Sequence, residues 1–128
     1  MSKYNVGVYI RLSRDDGNIE SDSIVSQRSL LNQYICENNY NLVDEYVDDG
    51  FTGTNFERPS FKRMMKDIEV GKINMIITKD MSRLGRDYIG TGELIEKYFP
   101  NNNVRYIAIN DGIDTFIDIT NNDIARFK

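Results

Sequence analysis

The apolar residues of this chain fall into short blocks whose period switches between that of a strand and that of a helix. Val6 to Ile10 is a compact apolar run bounded by polar residues, the pattern of a buried strand, and a polar stretch from Ser13 to Ser23 follows it. From Ile24 the apolar positions recur at Leu31, Tyr34 and Ile35, a helical period, with Asp22 or Ser23 placed to cap its start. Gln27 falls on the same face as those apolar residues. Leu42 to Val47 reads as a second strand. Asp48 to Pro59 has two glycines and no period, and is therefore a loop, long for a small domain. Phe61, Met64, Met65 and Ile68 stand at i, i+3, i+4 and i+7; Pro59 suits the first turn of that helix and Gly71 its stop. Ile73 to Thr78 is a third strand, Tyr88 to Phe99 a helix closed by Pro100, and Val104 to Ile109 a fourth strand. After Asp114 the pattern weakens, and Asn121 or Asn122 is placed to cap a helix beginning near Ile124. The chain ends before that helix completes two turns, which reads as a fragment of a longer protein.

Strands alternating with helices imply an α/β domain: three layers, with a central, mainly parallel sheet flanked by helices on both faces. Ligands in such a sheet are expected at the carboxyl ends of the strands. Those ends hold Arg11 to Arg14 and Lys79 to Arg86.

Composition narrows the function. The 128 residues, 40% of them apolar, suffice for one core and not for two, so residues 1–128 are expected to form a single domain. No apolar run approaches the roughly 18 residues of a membrane span, and Met1 to Tyr9 lacks the features of a signal peptide. Cys36 is the only cysteine, which excludes an internal disulfide, and a cytoplasmic location without membrane association is expected. Histidine is absent, which removes the usual general base, the Ser-His-Asp arrangement and the commonest metal ligand. The net charge of −4 argues against holding nucleic acid through overall charge alone.

The candidate chemistry sits at the two strand ends. Tyr9-Ile10-Arg11-Leu12-Ser13-Arg14 puts a hydroxyl at the end of the first strand with guanidinium groups on either side, and strand alternation places Tyr9, Arg11 and Ser13 on one face. Serine is a poor nucleophile unless a base takes its proton or cations stabilise the developing charge; without histidine, cations are the available route. In Ser82-Arg83-Leu84-Gly85-Arg86-Asp87, a helical turn would bring Arg83 and Arg86 onto one face as a phosphate clamp, because guanidinium donates two parallel hydrogen bonds to phosphate oxygens. Arg58, at the far end of the glycine-containing loop, is a further cation. Each feature has a plainer reading. Ser13 can be a turn or cap residue, Arg11 and Arg14 solvated, Arg83 and Arg86 paired with Asp80 and Asp87 on the surface, and Gln27 exposed near its helix start. Asp15, Asp16, Asp48 and Asp49 invite a hard-cation site, although acidic pairs in loops are more often solvated turn residues.

Taken together, Tyr9-x-Arg11-x-Ser13, Ser23-x-x-x-Gln27, Asp49-Gly50-x-x-Gly53 leading to Glu57-Arg58-Pro59, and Ser82-Arg83-Leu84-Gly85-Arg86 resemble the catalytic domain of the resolvase and invertase family of serine site-specific recombinases. Their order and spacing are most similar to the large serine recombinases and clostridial-type transposases. The resemblance implies a resolvase-like fold and DNA as partner. It also implies that Ser13 attacks the DNA backbone to give a 5′-phosphoserine link, with Arg11, Arg58, Arg83 and Arg86 around the scissile phosphate and Gln27 in the site. Tyr9 would support that site. No metal or other cofactor is implied. Self-association to dimer and tetramer would run through a long helix from about residue 122. One departure stands out: Ser82 occupies the position before Arg83 where the family often carries Asp, and Asp80, two residues earlier, is the nearest substitute. Like-charged arginines repel, so the DNA-free site is expected to be loosely arranged. The main rival is a receiver-like signalling domain accepting phosphate on Asp80 with Asp15 and Asp16 on magnesium, opposed by the absence of a Lys-Pro step and by Arg11-Leu12-Ser13 where an acidic pair would stand.

Overall fold

Strand β1, Asn5–Leu12, divides the core by its alternation. The computed structural model describes residues 4–13, 22–52 and 56–115. Val6, Val8 and Ile10 point to one face of the sheet, where they meet Leu31 and Ile35 of helix α1, Ile24–Glu37. Tyr9 points to the other, into a cluster with Phe61, Met64 and Ile68 of helix α2, Pro59–Glu69. Gly7 shares the Tyr9 face: a Cβ there would stand 2.8 Å from the Tyr46 ring and 2.9 Å from Ile73, so only glycine lets those side chains lie against the backbone.

The other strands are β2, Asn41–Asp49, β3, Met75–Thr78, β4, Arg105–Ala108, and β5, Ile113–Asp114, arranged β2-β1-β3-β4-β5. β1 to β4 run parallel and β5 pairs antiparallel with β4. The chain leaves β1 through α1 toward β2, then crosses back through α2 to β3. Right-handed crossovers in opposite directions put α1 and α2 on opposite faces, which gives the expected three layers. They also make the gap between β1 and β3 the point where strand order reverses, and the carboxyl ends of adjacent strands diverge there into a crevice.

Element boundaries follow local chemistry. Ser23 caps α1, its hydroxyl accepting the Ser26 N–H at 3.1 Å. α2 opens at Pro59 and gives way to Gly71 at φ 78°, a left-handed position that glycine adopts without strain. The predicted Tyr88–Phe99 helix differs from the observed one. Helix α4, Tyr88–Glu93, passes into a π-helical turn, Leu94–Tyr98, and continues as α5, Phe99–Asn101, so Pro100 lies within the last turn and not beyond it. Proline brings no N–H and its ring conflicts with the carbonyl four residues back; the widened turn before Pro100 accommodates both. The short helix α3, Met81–Leu84, and β5 were not predicted. None of the described helices is long and apolar enough to cross a membrane. The predicted helix from about residue 122, with its caps at Asn121 or Asn122, lies outside the described residues.

Candidate active site

At the carboxyl ends of β1 and β3 the chain buries several cations. Arg11 is fully buried: its Nε donates to the Arg83 carbonyl at 3.1 Å, Nη1 to the Phe51 carbonyl at 3.0 Å and Nη2 to the Ser82 carbonyl at 2.5 Å. Arg58 is also fully buried, with Nη2 donating to the Leu84 carbonyl at 2.7 Å and Nη1 to the Arg83 carbonyl at 3.3 Å and the Tyr9 hydroxyl at 3.0 Å. Ser82, Arg83 and Leu84 belong to α3, and the carbonyls of a helix's last turn have no partner within the helix. Two arginines from β1 and the α2 start supply those partners. The match suits both sides, because a buried guanidinium needs acceptors and a helix C-terminus favours positive charge.

Arg83 returns the connection. Its Nη1 donates to the Arg11 carbonyl at 2.7 Å, while its Nε lies 3.6 Å from Asp80 and its Nη2 4.0 Å from Asp22. Gln27 donates from Nε2 to that same Arg11 carbonyl at 3.0 Å and to the Asp22 carbonyl at 2.7 Å. Gln27 is buried, not solvated, and its Oε1 has no hydrogen-bond partner among the described residues. Ser13 follows directly after β1 and is only 6% exposed. The structure thus brings Tyr9, Arg11, Ser13, Gln27, Arg58 and Arg83 together at the crevice. Arg11 is not solvated, and Arg83 pairs with Asp80 as the plainer reading had it but in a buried setting; backbone carbonyls hold Arg11 and Arg58, and a carbonyl with two carboxylates holds Arg83.

Arg86 is exposed, unlike the buried Arg11, Arg58 and Arg83. The expected common helical face with Arg83 does not form, because α3 ends at Leu84 and Gly85 is extended at φ −177°, ψ 152°. Asp80 caps α3, its Oδ1 accepting from the Arg83 N–H at 3.2 Å and from the Ser82 hydroxyl at 2.5 Å. Ser82 therefore does not replace a carboxylate so much as lean on the one two residues earlier. Arg14, Asp15, Asp16 and Gly53 lie outside the described residues.

Two further residues join this cluster, one weighed from the sequence only as a hard-cation candidate and one not singled out there. Asp48, expected as a solvated turn residue, is 2% exposed. Its carboxylate accepts from the Tyr9 hydroxyl at 2.8 Å and from the Ser60 and Phe61 backbone N–H groups, each at 2.9 Å. Arg58 occupies the N-cap position of α2 without capping it, so Asp48 performs that task from β2. Tyr9 bridges the pair, receiving a hydrogen bond from Arg58 and giving one to Asp48. Burial pushes the Tyr9 phenol well above its ordinary value, Asp48 adds to the rise and Arg58 opposes it; the hydroxyl keeps its proton and serves as a donor. Extending β2 by two residues would have put Asp48 on the buried face with Tyr46, the signal available in the sequence. The second is Lys79, 8% exposed after β3, with Nζ 2.5 Å from Asp22.

A parallel sheet with a buried serine and a knot of arginines at its reversal point defines a class, and the chain belongs to it: the family model of the resolvase N-terminal domain matches residues 6–126. The chain is similar to the N-terminal catalytic domain of TP901-1 integrase, with a TM-score of 0.78 and 27% identity over 95% of this chain and 96% of that one. It is similar also to a resolvase family site-specific recombinase from Streptococcus pneumoniae, with a TM-score of 0.68 and 28% identity over 97% and 89%. A Bacillus subtilis (strain 168) protein whose name assigns it provisionally to the DNA recombinases is 30% identical over 105 residues. That match takes in 82% of this chain but 20% of the relative, so the chain spans about a fifth of its length. The receiver-like alternative is displaced, and Asp80 is occupied in capping α3.

Proposed function

We propose that this serine recombinase domain cuts and rejoins DNA through Ser13. In this mechanism the Ser13 Oγ attacks a phosphodiester, a 5′-phosphoserine bond forms, the bond to the 3′ oxygen breaks, and the departing oxygen takes up a proton as a 3′-hydroxyl. Arg11, Arg58 and Arg83, with Arg86 reaching in from the surface, would stabilise the charge that gathers on the phosphate oxygens. The observation that carries the proposal is the shared anchor at the Arg11 carbonyl. That carbonyl lies two residues before Ser13 and holds both Arg83 and Gln27, so one cation and one amide are tied to the strand that carries the serine.

A phosphoserine diester retains the free energy of the phosphodiester it replaces, so rejoining needs no nucleotide, and the proposed step uses no metal. In the full-length protein the partners would be the DNA backbone at a crossover site and further copies of the protein, associating as dimers and tetramers in the cytoplasm. The test uses the full-length protein, a supercoiled plasmid carrying the DNA that flanks its gene, and a chelator. A covalent protein–DNA adduct that survives denaturation and disappears in Ser13→Ala is the expected result. An adduct that persists in Ser13→Ala places the nucleophile elsewhere.

A further inference from the structure

We infer that Phe56 is a positioning residue for Arg58: its ring, wedged into a slot between Gly85 and Gly90, holds the Arg58 guanidinium toward the site. The inference rests on the proposed recombinase reading and adds to it a residue outside the arginine and serine motifs. Three aromatic rings surround the Arg58 guanidinium, its Cζ lying 4.6 Å from the Phe61 ring centroid, 5.2 Å from that of Phe56 and 5.6 Å from that of Tyr9. Phe56 and Phe61 stack at 5.0 Å and 27°, so the cation lies against a pair of stacked rings. Aromatic faces attract a cation through their quadrupole without cancelling its charge. A buried arginine solvated in this way still presents its full charge to a phosphate.

The slot explains why the ring cannot drift. A Cβ at Gly85 would stand 3.1 Å from Phe56 Cε1, and a Cβ at Gly90 would stand 2.9 Å from Phe56 Cε2. Both edges of the ring therefore lie close against backbone at positions without side chains. Gly85 sits between Leu84, whose carbonyl receives Arg58 Nη2, and Arg86. Phe56 thus ties the cation at the α2 start to the turn that carries Arg86, and neither can shift without displacing the ring. Beyond the cation, Phe56 also borders an open groove of about 520 Å³ between α2 and α4.

The test uses the full-length protein and the plasmid described above, with initial rates of adduct formation for wild type, Phe56→Leu, Gly90→Ala, Asp87→Ala, Arg58→Gln, and Phe56→Leu combined with Arg58→Gln. Leucine fills the slot without a quadrupole and is expected to slow adduct formation about tenfold. Gly90→Ala leaves Arg58 untouched, but its Cβ would stand 2.7 Å from the capping Asp87 Oδ2 and 2.9 Å from the ring; it is expected to slow the reaction about threefold or more while Asp87→Ala, which removes the cap and not the ring contact, slows it less than about twofold. In the Arg58→Gln background, which has no cation for the ring to hold, Phe56→Leu is expected to cost less than about twofold. Wild-type rates in Phe56→Leu or Gly90→Ala overturn the inference, and so does an equal loss from Phe56→Leu in both backgrounds, which would make the ring mere packing. Ser13→Ala, run alongside, separates the two levels: an adduct persisting there overturns the recombinase reading itself, whereas an adduct lost there but formed at full rate by Phe56→Leu overturns only the role of Phe56.

Discussion

Arg11 and Arg63 are both hydrogen-bonded arginines, held by different kinds of partner. Arg63 lies at the β2 edge of the sheet, 47% exposed in its side chain, with Nη1 2.8 Å from Asp44 and 4.0 Å from Asp67. Lys72 joins the same two carboxylates at 3.2 and 3.6 Å. Partial burial pulls the Asp44 carboxyl upward, but hydrogen bonds from Arg63, the Glu45 backbone and Lys72 outweigh it and hold the group below its ordinary range. Charge there is met by charge, and little field remains for a third party. Arg11 instead directs Nε, Nη1 and Nη2 to backbone carbonyls, which are dipoles and solvate a cation without neutralising it. A surface network of the first kind guards a sheet edge against pairing; a buried one of the second kind would, under the proposed function, serve to receive an anion.

The contrast can be broken most forcefully at Arg11. Arg11→Met should fill much of the space but leave the Phe51 and Ser82 carbonyls without the Arg11 donor and the Arg83 carbonyl with Arg58 alone, costing about 3 kcal/mol or more in a urea titration of this chain; a loss below about 1 kcal/mol would mean the guanidinium is dispensable to the fold. Asp48→Ala comes next, at about 2 kcal/mol, since it removes the cap of α2 and the acceptor of Tyr9 together. Arg63→Ala should cost less than about 1 kcal/mol by the same measurement, because exposed pairs contribute little, and that loss should shrink further in high salt. The smallest effect vanishes at neutral pH. Burial raises the phenols of Tyr9 and Tyr106, and a group whose folded value lies above its unfolded one stabilises the fold fully below the unfolded value. Stability should therefore be flat toward pH 10, the ordinary tyrosine value, and fall as pH rises beyond it toward the folded values. A Tyr9→Phe variant should lose part of that alkaline decline in thermal unfolding.

Much of this was legible in the chain. The apolar runs gave the four parallel strands to within a few residues and the period of Phe61 to Ile68 gave α2, because burial on both faces leaves a continuous apolar signature. The three-layer arrangement and the gathering of Arg11, Ser13, Gln27, Arg58 and Arg83 followed from strand ends and motifs. α3 escaped because four residues cannot display a period, and with it went the helix C-terminus that receives Arg11 and Arg58. Asp48 escaped because its burial depends on where β2 ends, the least certain feature of any strand. The supposed common face of Arg83 and Arg86 failed at one extended glycine, a backbone state that sequence pattern does not encode.

The arrangement of β1 beside β3 also has a consequence for how the protein comes into being. Synthesis delivers Ser13 first, but Arg58 arrives 45 residues later and the carbonyls of Ser82, Arg83 and Leu84 later still. Because these partners are joined only across a parallel sheet, whose pairings close long loops and form slowly, a nascent chain carries its proposed nucleophile beside Arg11 but without Arg58, Arg83 and the carbonyls that fix Arg11. Competence to cut would then be a property of the finished fold alone, and an incomplete chain would be harmless to the DNA around it.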